Sequence, residues 1–267
     1  DVYSKWAPGN KGGESESTIG EWLKAHPGRR ERLVIITKVG SEMAPGRKGL
    51  SARHILSAAD ESLRRLHTDY IDLYLSHFPD PQTPIEETLG AYQTLLRQGK
   101  VRAIGASNYE AGALHDALRA AAAKGLPRYE VLQPEYNLYD RSAFEGPLRD
   151  LCMAEGLGVI TYYSLASGFL TGKYRTKGDL AKSVRGKAIA RYLDERGLRI
   201  LKALDTVALA HRARPAEVAL AWLIGREGVT APIASATSLE QLESLIAATQ
   251  LSLSPADLEL LETASVP

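Results

Sequence analysis

One cysteine, Cys152, stands in 267 residues. That excludes an internal disulfide and a cysteine-rich zinc site, and it suits a reducing compartment, so the expected location is the cytoplasm. An excess of one charge is missing as well. Lys and Arg total 33 against 32 Asp and Glu, a formal net charge of +1, which supplies no field to attract nucleic acid or anionic lipid. Long apolar runs are absent: LVII (33–36) and VALAWLI (218–224) fall far short of the ~20 residues that span a bilayer. No Gly-x-Gly-x-x-Gly turn follows a candidate strand, which weakens a doubly wound dinucleotide-binding sheet. No His and carboxylate cluster sits at the candidate strand ends, so a metal site is not expected and a metal-dependent hydrolase is disfavoured.

What is present is an alternation of short β-branched runs with longer helical patterns. The candidate strands are LVIITK (33–38), IDLYLS (71–76), VRAIGA (101–106), YEVLQ (129–133), LGVITY (157–162) and VTAPIA (229–234). Most are almost wholly apolar, the pattern of parallel strands covered on both faces. Between them, TPIEETLGAYQTLLRQG (83–99) predicts a helix with a Thr83–Glu86 capping box, Pro84 at its first position and an apolar stripe of Ile85, Leu89, Tyr92 and Leu96. The segment from Ser51 repeats the design with Ile55, Ala59, Leu63 and Leu66 inward. Residues 194–212, 215–225 and 254–264 also read as helices, the last capped by Ser254 with Asp257.

Strand-then-helix repetition with short loops gives a parallel sheet, either open or closed into a barrel. About six such units are countable, whereas a (β/α)8 barrel has eight strands. Val2 and Tyr3 read as the stub of a further strand, and the chain is expected to continue upstream of Asp1. No linker or low-complexity tract interrupts the pattern, so residues 1–267 read as a single domain.

The polar residues fall at the carboxyl ends of these strands: Lys38, His77, Ser107 with Asn108, Gln133, Tyr162, and SATS (235–238). In a barrel such ends converge on the face that carries the site. Taken singly, each could be a solvated, packed or capping residue.

The strings LYLSHFPD (73–80), VRAIGASNY (101–109), VLQPEYNLYDR (131–141), YYSLASGFLTGKY (162–174) and PIASATSLEQLE (232–243) resemble an aldo-keto reductase, in order, through nearly the whole chain. The branch most alike is the bacterial, NADP-dependent, channel-β-subunit-like one. The resemblance implies an α/β fold, a (β/α)8 TIM barrel whose first strand, first helix and most of whose second strand are absent from this chain. It implies NADP(H) as cofactor and a small-molecule carbonyl or alcohol as substrate, with no nucleic-acid or membrane partner. A catalytically weak nucleotide-binding sensor or regulatory subunit of the same fold is the alternative.

Under that resemblance Tyr3 is the acid that protonates the carbonyl oxygen, Lys38 the neighbouring ammonium that lowers its pKa, and His77 the group that orients the oxygen. Ser107, Asn108 and Gln133 hold the nicotinamide carboxamide, and Tyr162 stacks beneath the ring. Tyr163, Ser164, Leu165, Ala166, Ser167 and Gly168 follow on the cofactor face, where Gly168 and Gly172 allow close backbone approach to a pyrophosphate and Lys173 offsets its charge. Ser235, Thr237, Ser238 and Gln241 lie at a helix start suited to phosphate. The family's aspartate, five residues before the catalytic tyrosine, would fall upstream of Asp1, because only two residues precede Tyr3 and Asp1 is not at its spacing. The chain departs from the family in two further places: Ser164 replaces a usual proline, and Ser235, Thr237, Ser244 and Leu245 stand where basic residues and a Glu-Asn pair are common. The loops 4–14 and 39–49 would border the substrate, with Trp6 and Phe78 as apolar walls.

Overall fold

The computed structural model describes residues 1–182 and 186–266. They form two compact units, Asp1–Gln133 with Glu155–Leu157, and Pro134–Ala154 with Gly158–Pro267. All strand pairings within them are parallel. Among the described residues no helix is long and apolar enough to cross a membrane.

The first unit runs α1 (Glu14–Ala25), β1 (Ile36–Val39), α2 (Ala52–Leu66), β2 (Ile71–Ser76), α3 (Ile85–Arg97), β3 (Val101–Ser107), α4 (Ala111–Lys124) and β4 (Val131–Gln133). The strands lie side by side in chain order, because each crossover helix returns the chain to the next place in the sheet. Register pairs Lys38 with Leu75, Ser76 with Ala106 and Ser107 with Gln133. The polar residues at the strand ends therefore share one edge.

Burial explains the helices. Ser51 caps α2 by accepting from the His54 amide, and Ile55, Ala59, Leu63 and Leu66 are all buried, as their spacing predicts. In α3 the expected capping box does not form. Pro84 is the N-cap without a side-chain bond, and the Thr83 hydroxyl donates to Asp80 Oδ2 at 2.7 Å. The helix starts one residue late for the box, so Thr83 stands outside it and gives its hydroxyl proton to the carboxylate three residues upstream. The buried stripe is Leu89, Tyr92 and Leu95, with Leu96 turned partly outward.

The expected strand stub at Val2 and Tyr3 is likewise a turn. The Lys5 amide donates to the Val2 carbonyl at 3.1 Å, and the chain coils through residues 3–6 toward Pro8 and Gly9. Inside the sheet's cover, Ser76 Oγ bonds the phenols of Tyr92 and Tyr129 at 2.9 and 2.8 Å, satisfying polar groups that are wholly enclosed.

The second unit contains α5 (Pro147–Ala154), β5 (Gly158–Thr161), α6 (Gly186–Ile189), α7 (Glu195–His211), α8 (Pro215–Ile224), β6 (Ala231–Pro232), α9 (Leu239–Ala248) and α10 (Pro255–Ser265). β5 pairs with β6. Asp194 caps α7 through the Gly197 amide at 2.7 Å, and Ser254 with Asp257 forms the predicted capping box on α10. The hydrophobic α8 lies in the core, and its Trp222 indole donates to Glu262, which also pairs with Arg141 and Arg226.

Two glycines mark opposite packing limits. A Cβ on Gly20 of α1 would come within 2.0 Å of the Arg65 carbonyl on α2, whereas one on Gly90 of α3 meets nothing within 4 Å. Urea unfolding of Gly20→Ala is expected to show a loss of about 1–3 kcal/mol through forced separation of the two helices. Gly90→Ala is expected to gain roughly 0.5–1 kcal/mol by limiting the unfolded chain.

Candidate active site

Lys38 is the third of the four residues of β1 and is 7% exposed. A lysine at that position cannot reach bulk water easily, and its Nζ donates to the Tyr3 phenol at 2.9 Å. Among the described residues no carboxylate pairs with it. Desolvation therefore acts almost unopposed and lowers its pKa to about 8.

Tyr3 is half-buried in the turn after Val2, with Trp6 set edge-on to its ring at 5.6 Å. Burial raises the phenol's pKa instead of lowering it, contrary to the sequence expectation. The reason lies in the order of titration. A phenol ionises near pH ~10, and by then Lys38 has largely lost the charge that would favour phenolate.

His77 follows β2 directly, its amide bound to the Val39 carbonyl at 2.8 Å. Its ring is stacked between Tyr3, 5.9 Å away at 23°, and Phe78, 4.7 Å away at 6°. Burial, then Lys38, lower its pKa to about 4, so the imidazole is neutral at pH 7. Tyr3, Lys38 and His77 thus converge, although 35 and 39 residues separate the first two and the last two. Trp6 and Phe78 flank them as exposed aromatic surfaces.

The neighbouring strand ends form a connected chain. Asn108, at φ 60°, donates to the His77 carbonyl at 2.9 Å and to Ser107 Oγ at 3.2 Å, and the Ser107 hydroxyl donates to the Gln133 carbonyl at 2.9 Å. Ser107 therefore orders its two neighbours. Gln133 is 3% exposed, yet its side-chain amide makes no hydrogen bond within the described residues.

Three further residues contribute that sequence reasoning missed. Ser41 Oγ lies 2.8 Å from His77 Nδ1. Asp80 accepts from the Leu50 and Gln82 amides and from Thr83, clamping the loop after β2 to the loop after β1. The Asp-Pro-Gln-Thr string carries a legible turn signal for that clamp. Glu16 accepts from Thr37, the residue before Lys38, and pairs with Arg65.

The predicted residues of the second unit are held as follows. Tyr162 exchanges backbone bonds with Pro134 and Tyr136, and its ring meets Tyr163 edge-on at 5.2 Å. Ser164 is buried and donates to the Thr161 carbonyl at 3.1 Å. Leu165 accepts from the Gly168 amide at 2.8 Å, and Ala166, Ser167 and Gly168 take φ of 49°, 59° and 100°. The exposed Lys173 extends past Gly168, with Nζ 4.0 Å from where a Cβ would stand. Farther along, Ser238 caps α9 through the Gln241 amide, and Gln241 Oε1 accepts from the Thr237 amide and hydroxyl at 2.9 and 3.1 Å. Ser235 lies exposed just upstream. Among the described residues no group of three or more His, Cys, Asp or Glu could hold a metal ion.

The model of the aldo/keto reductase family matches residues 1–265. Protein tas of Escherichia coli K12 is 33% identical over 267 aligned residues, covering 91% of this chain and 77% of the relative. A probable voltage-gated potassium channel subunit beta of Oryza sativa subsp. japonica is 34% identical, covering 86% of this chain and 72% of the relative. Aldo-keto reductase yakc [NADP(+)] of Schizosaccharomyces pombe is 31% identical, covering 91% and 72%. With its parallel strands and alternating helices, part of a (β/α)8 barrel, the chain belongs to the aldo/keto reductase family, in the branch that includes channel-β-like proteins.

Proposed function

We propose that the protein is an NADP(H)-dependent oxidoreductase that interconverts an aldehyde or ketone with the corresponding alcohol. The observation that carries this reading is the 2.9 Å bond from Lys38 to Tyr3 beside a neutral His77. Because Tyr3 Oη accepts from Lys38, its own proton is left to donate outward. A carbonyl oxygen gaining negative charge would take that proton, and the tyrosinate left behind would face the Lys38 ammonium. Charge attraction would then strengthen as the reaction proceeds, which is the differential stabilisation catalysis needs. His77 would donate a second hydrogen bond to the same oxygen.

The residues present fit the cofactor. The unpartnered amide of Gln133 suits a carboxamide, with Asn108 alongside and Ser107 fixing both. When bound, NADPH supplies the hydride. In the second unit, the left-handed backbone at 166–168 beside Lys173 suits an anionic diphosphate, and Tyr162 with Tyr163 offers aromatic faces. Ser235, Thr237 and Gln241 at the start of α9 suit a phosphate, and NADP(H) is preferred over NAD(H) because one relative carries NADP(+) in its name. Trp6 and Phe78 favour a substrate with some hydrophobic body.

Two variants test the assignment. Tyr3→Phe keeps the ring packing and removes the proton donor, so NADPH oxidation with a panel of aldehydes is expected to fall ~10²–10⁴-fold, while NADPH fluorescence still reports binding. Unchanged turnover would remove Tyr3 from the role.

Lys38→Met is expected to abolish turnover yet raise stability at pH 7 by roughly 1–3 kcal/mol, because a disfavoured buried charge is gone. The folded pKa of Lys38 is about 8 against an ordinary 10.5, so the unfolded state binds more protons across that window. Wild-type stability recovers as pH rises through it, and the variant's advantage is expected to shrink above about pH 8 in urea titrations. For the same reason, wild-type carbonyl reduction is expected to decline above about pH 8, where Lys38 loses its proton.

A further inference from the structure

The stacked arrangement of His77 fixes its ring plane but not which nitrogen carries the proton. A carbonyl oxygen only accepts hydrogen bonds, so a neutral imidazole is useful to it in one tautomer alone. Nδ1 is engaged with Ser41, and Nε2 makes no hydrogen bond within the described residues.

We propose that Ser41 is a positioning residue whose hydroxyl donates to His77 Nδ1, holding the imidazole in the Nε2–H tautomer required to donate to a carbonyl oxygen. The inference rests on the carbonyl-reducing reading of this site. Ser41 Oγ is 2.8 Å from Nδ1, and no other acceptor bonds its hydroxyl among the described residues. The reverse direction, Nδ1–H to Oγ, would leave Nε2 as a lone-pair site facing another lone pair. It would also leave the serine proton without a protein acceptor.

The loop is built to hold that oxygen in place. Gly40 takes φ 114°, and a Cβ there would press on Leu50 at 3.1 Å. Its carbonyl accepts from the Gly49 amide at 2.9 Å, closing the loop on itself. The next amide, that of Leu50, donates to Asp80 at 2.8 Å, three residues beyond His77. Ser41 and His77 are therefore fixed to one frame from both sides. The charged and titratable groups that face the imidazole are Lys38 and Tyr3. The cation disfavours a second ring proton and leaves the tautomer choice to the hydroxyl.

Long-range proton–nitrogen correlation spectra of ring-labelled histidine read the tautomer directly. The chain has six histidines, and His77→Gln identifies the signal. The expected result at pH 7 is a protonated Nε2 in the wild type, a shift toward mixed tautomers in Ser41→Ala, and retention in Ser41→Thr. Unfolding curves accompany each variant, and the threonine variant keeps the test valid if alanine loosens the loop.

Kinetically, Ser41→Ala is expected to lower kcat roughly tenfold, the scale of one hydrogen bond, with KM for the carbonyl changed less and activity rescued by threonine. A protonated Nδ1 in the wild type, or identical spectra for wild type and Ser41→Ala, overturns the assignment of Ser41. Absence of carbonyl reduction in the wild type would instead overturn the functional reading, and the spectra would still decide the tautomer.

Discussion

The rest of the site depends on a single buried charge. Lys38 occupies a strand position that its neighbours seal from water, and its ammonium faces the Tyr3 phenol oxygen. A phenol dipole offsets only part of the lost hydration, so the ammonium is held at a cost and its pKa falls to about 8. The same charge presses His77 toward its neutral form. One desolvated cation thus bears on the protonation of the imidazole beside it. Under the proposed reading the arrangement would be least favourable at rest and improve as Tyr3 gives up its proton, unlike an ion pair kept for stability.

Holding such a charge demands a rigid frame, and the parallel register supplies it. Lys38 lies beside Leu75, two residues before His77, so the order of β1 and β2 fixes the spacing of two side chains 39 residues apart. Hydrogen bonds then pass the alignment sideways from His77 through Asn108 and Ser107 to Gln133. The enclosed tyrosine cluster around Ser76 lies one residue below His77 and carries no ionisable role. Burial holds Tyr74 and Tyr129 far above the ordinary phenol range, so they stay neutral in the core. The buried tyrosine cluster and the single Tyr3 therefore share this end of the sheet, and only Tyr3 borders a charge.

Much of this was legible beforehand for a physical reason. Strands covered on both faces must be apolar, so a polar residue just beyond one stands out, and Lys38, His77, Ser107, Asn108 and Gln133 did. What could not be read depends on distances through space. Ser41 meets His77 across 36 residues with no local pattern to announce it. Thr83 looked like a cap because Glu86 follows at the right spacing, but Pro84 takes the N-cap position and the Thr83 hydroxyl donates to Asp80 instead. The direction of the Tyr3 shift required knowing how deeply Lys38 is buried, since a partner that has already deprotonated cannot stabilise a phenolate. Val2 and Tyr3 have strand composition, yet the turn bond from Lys5 to Val2 takes the chain elsewhere.

The second unit shows a different limit. The sequence pointed to Gly168 and Gly172 as the permissive positions of the loop after β5, and both do take left-handed φ. So do Tyr163, Ala166 and Ser167, at 53°, 49° and 59°, where a side chain adds of order 1 kcal/mol of strain each. Burial holds Ala166 there, with Phe169 and Leu170 also fully enclosed, while Tyr163 is exposed; the Ser164 hydroxyl ties the loop's start to the Thr161 carbonyl. A proline at 164 would have no such hydroxyl, so the serine replaces a built-in φ restraint with a hydrogen bond. The left-handed run is thus sustained by local packing and one hydroxyl, and glycines alone would not have revealed it.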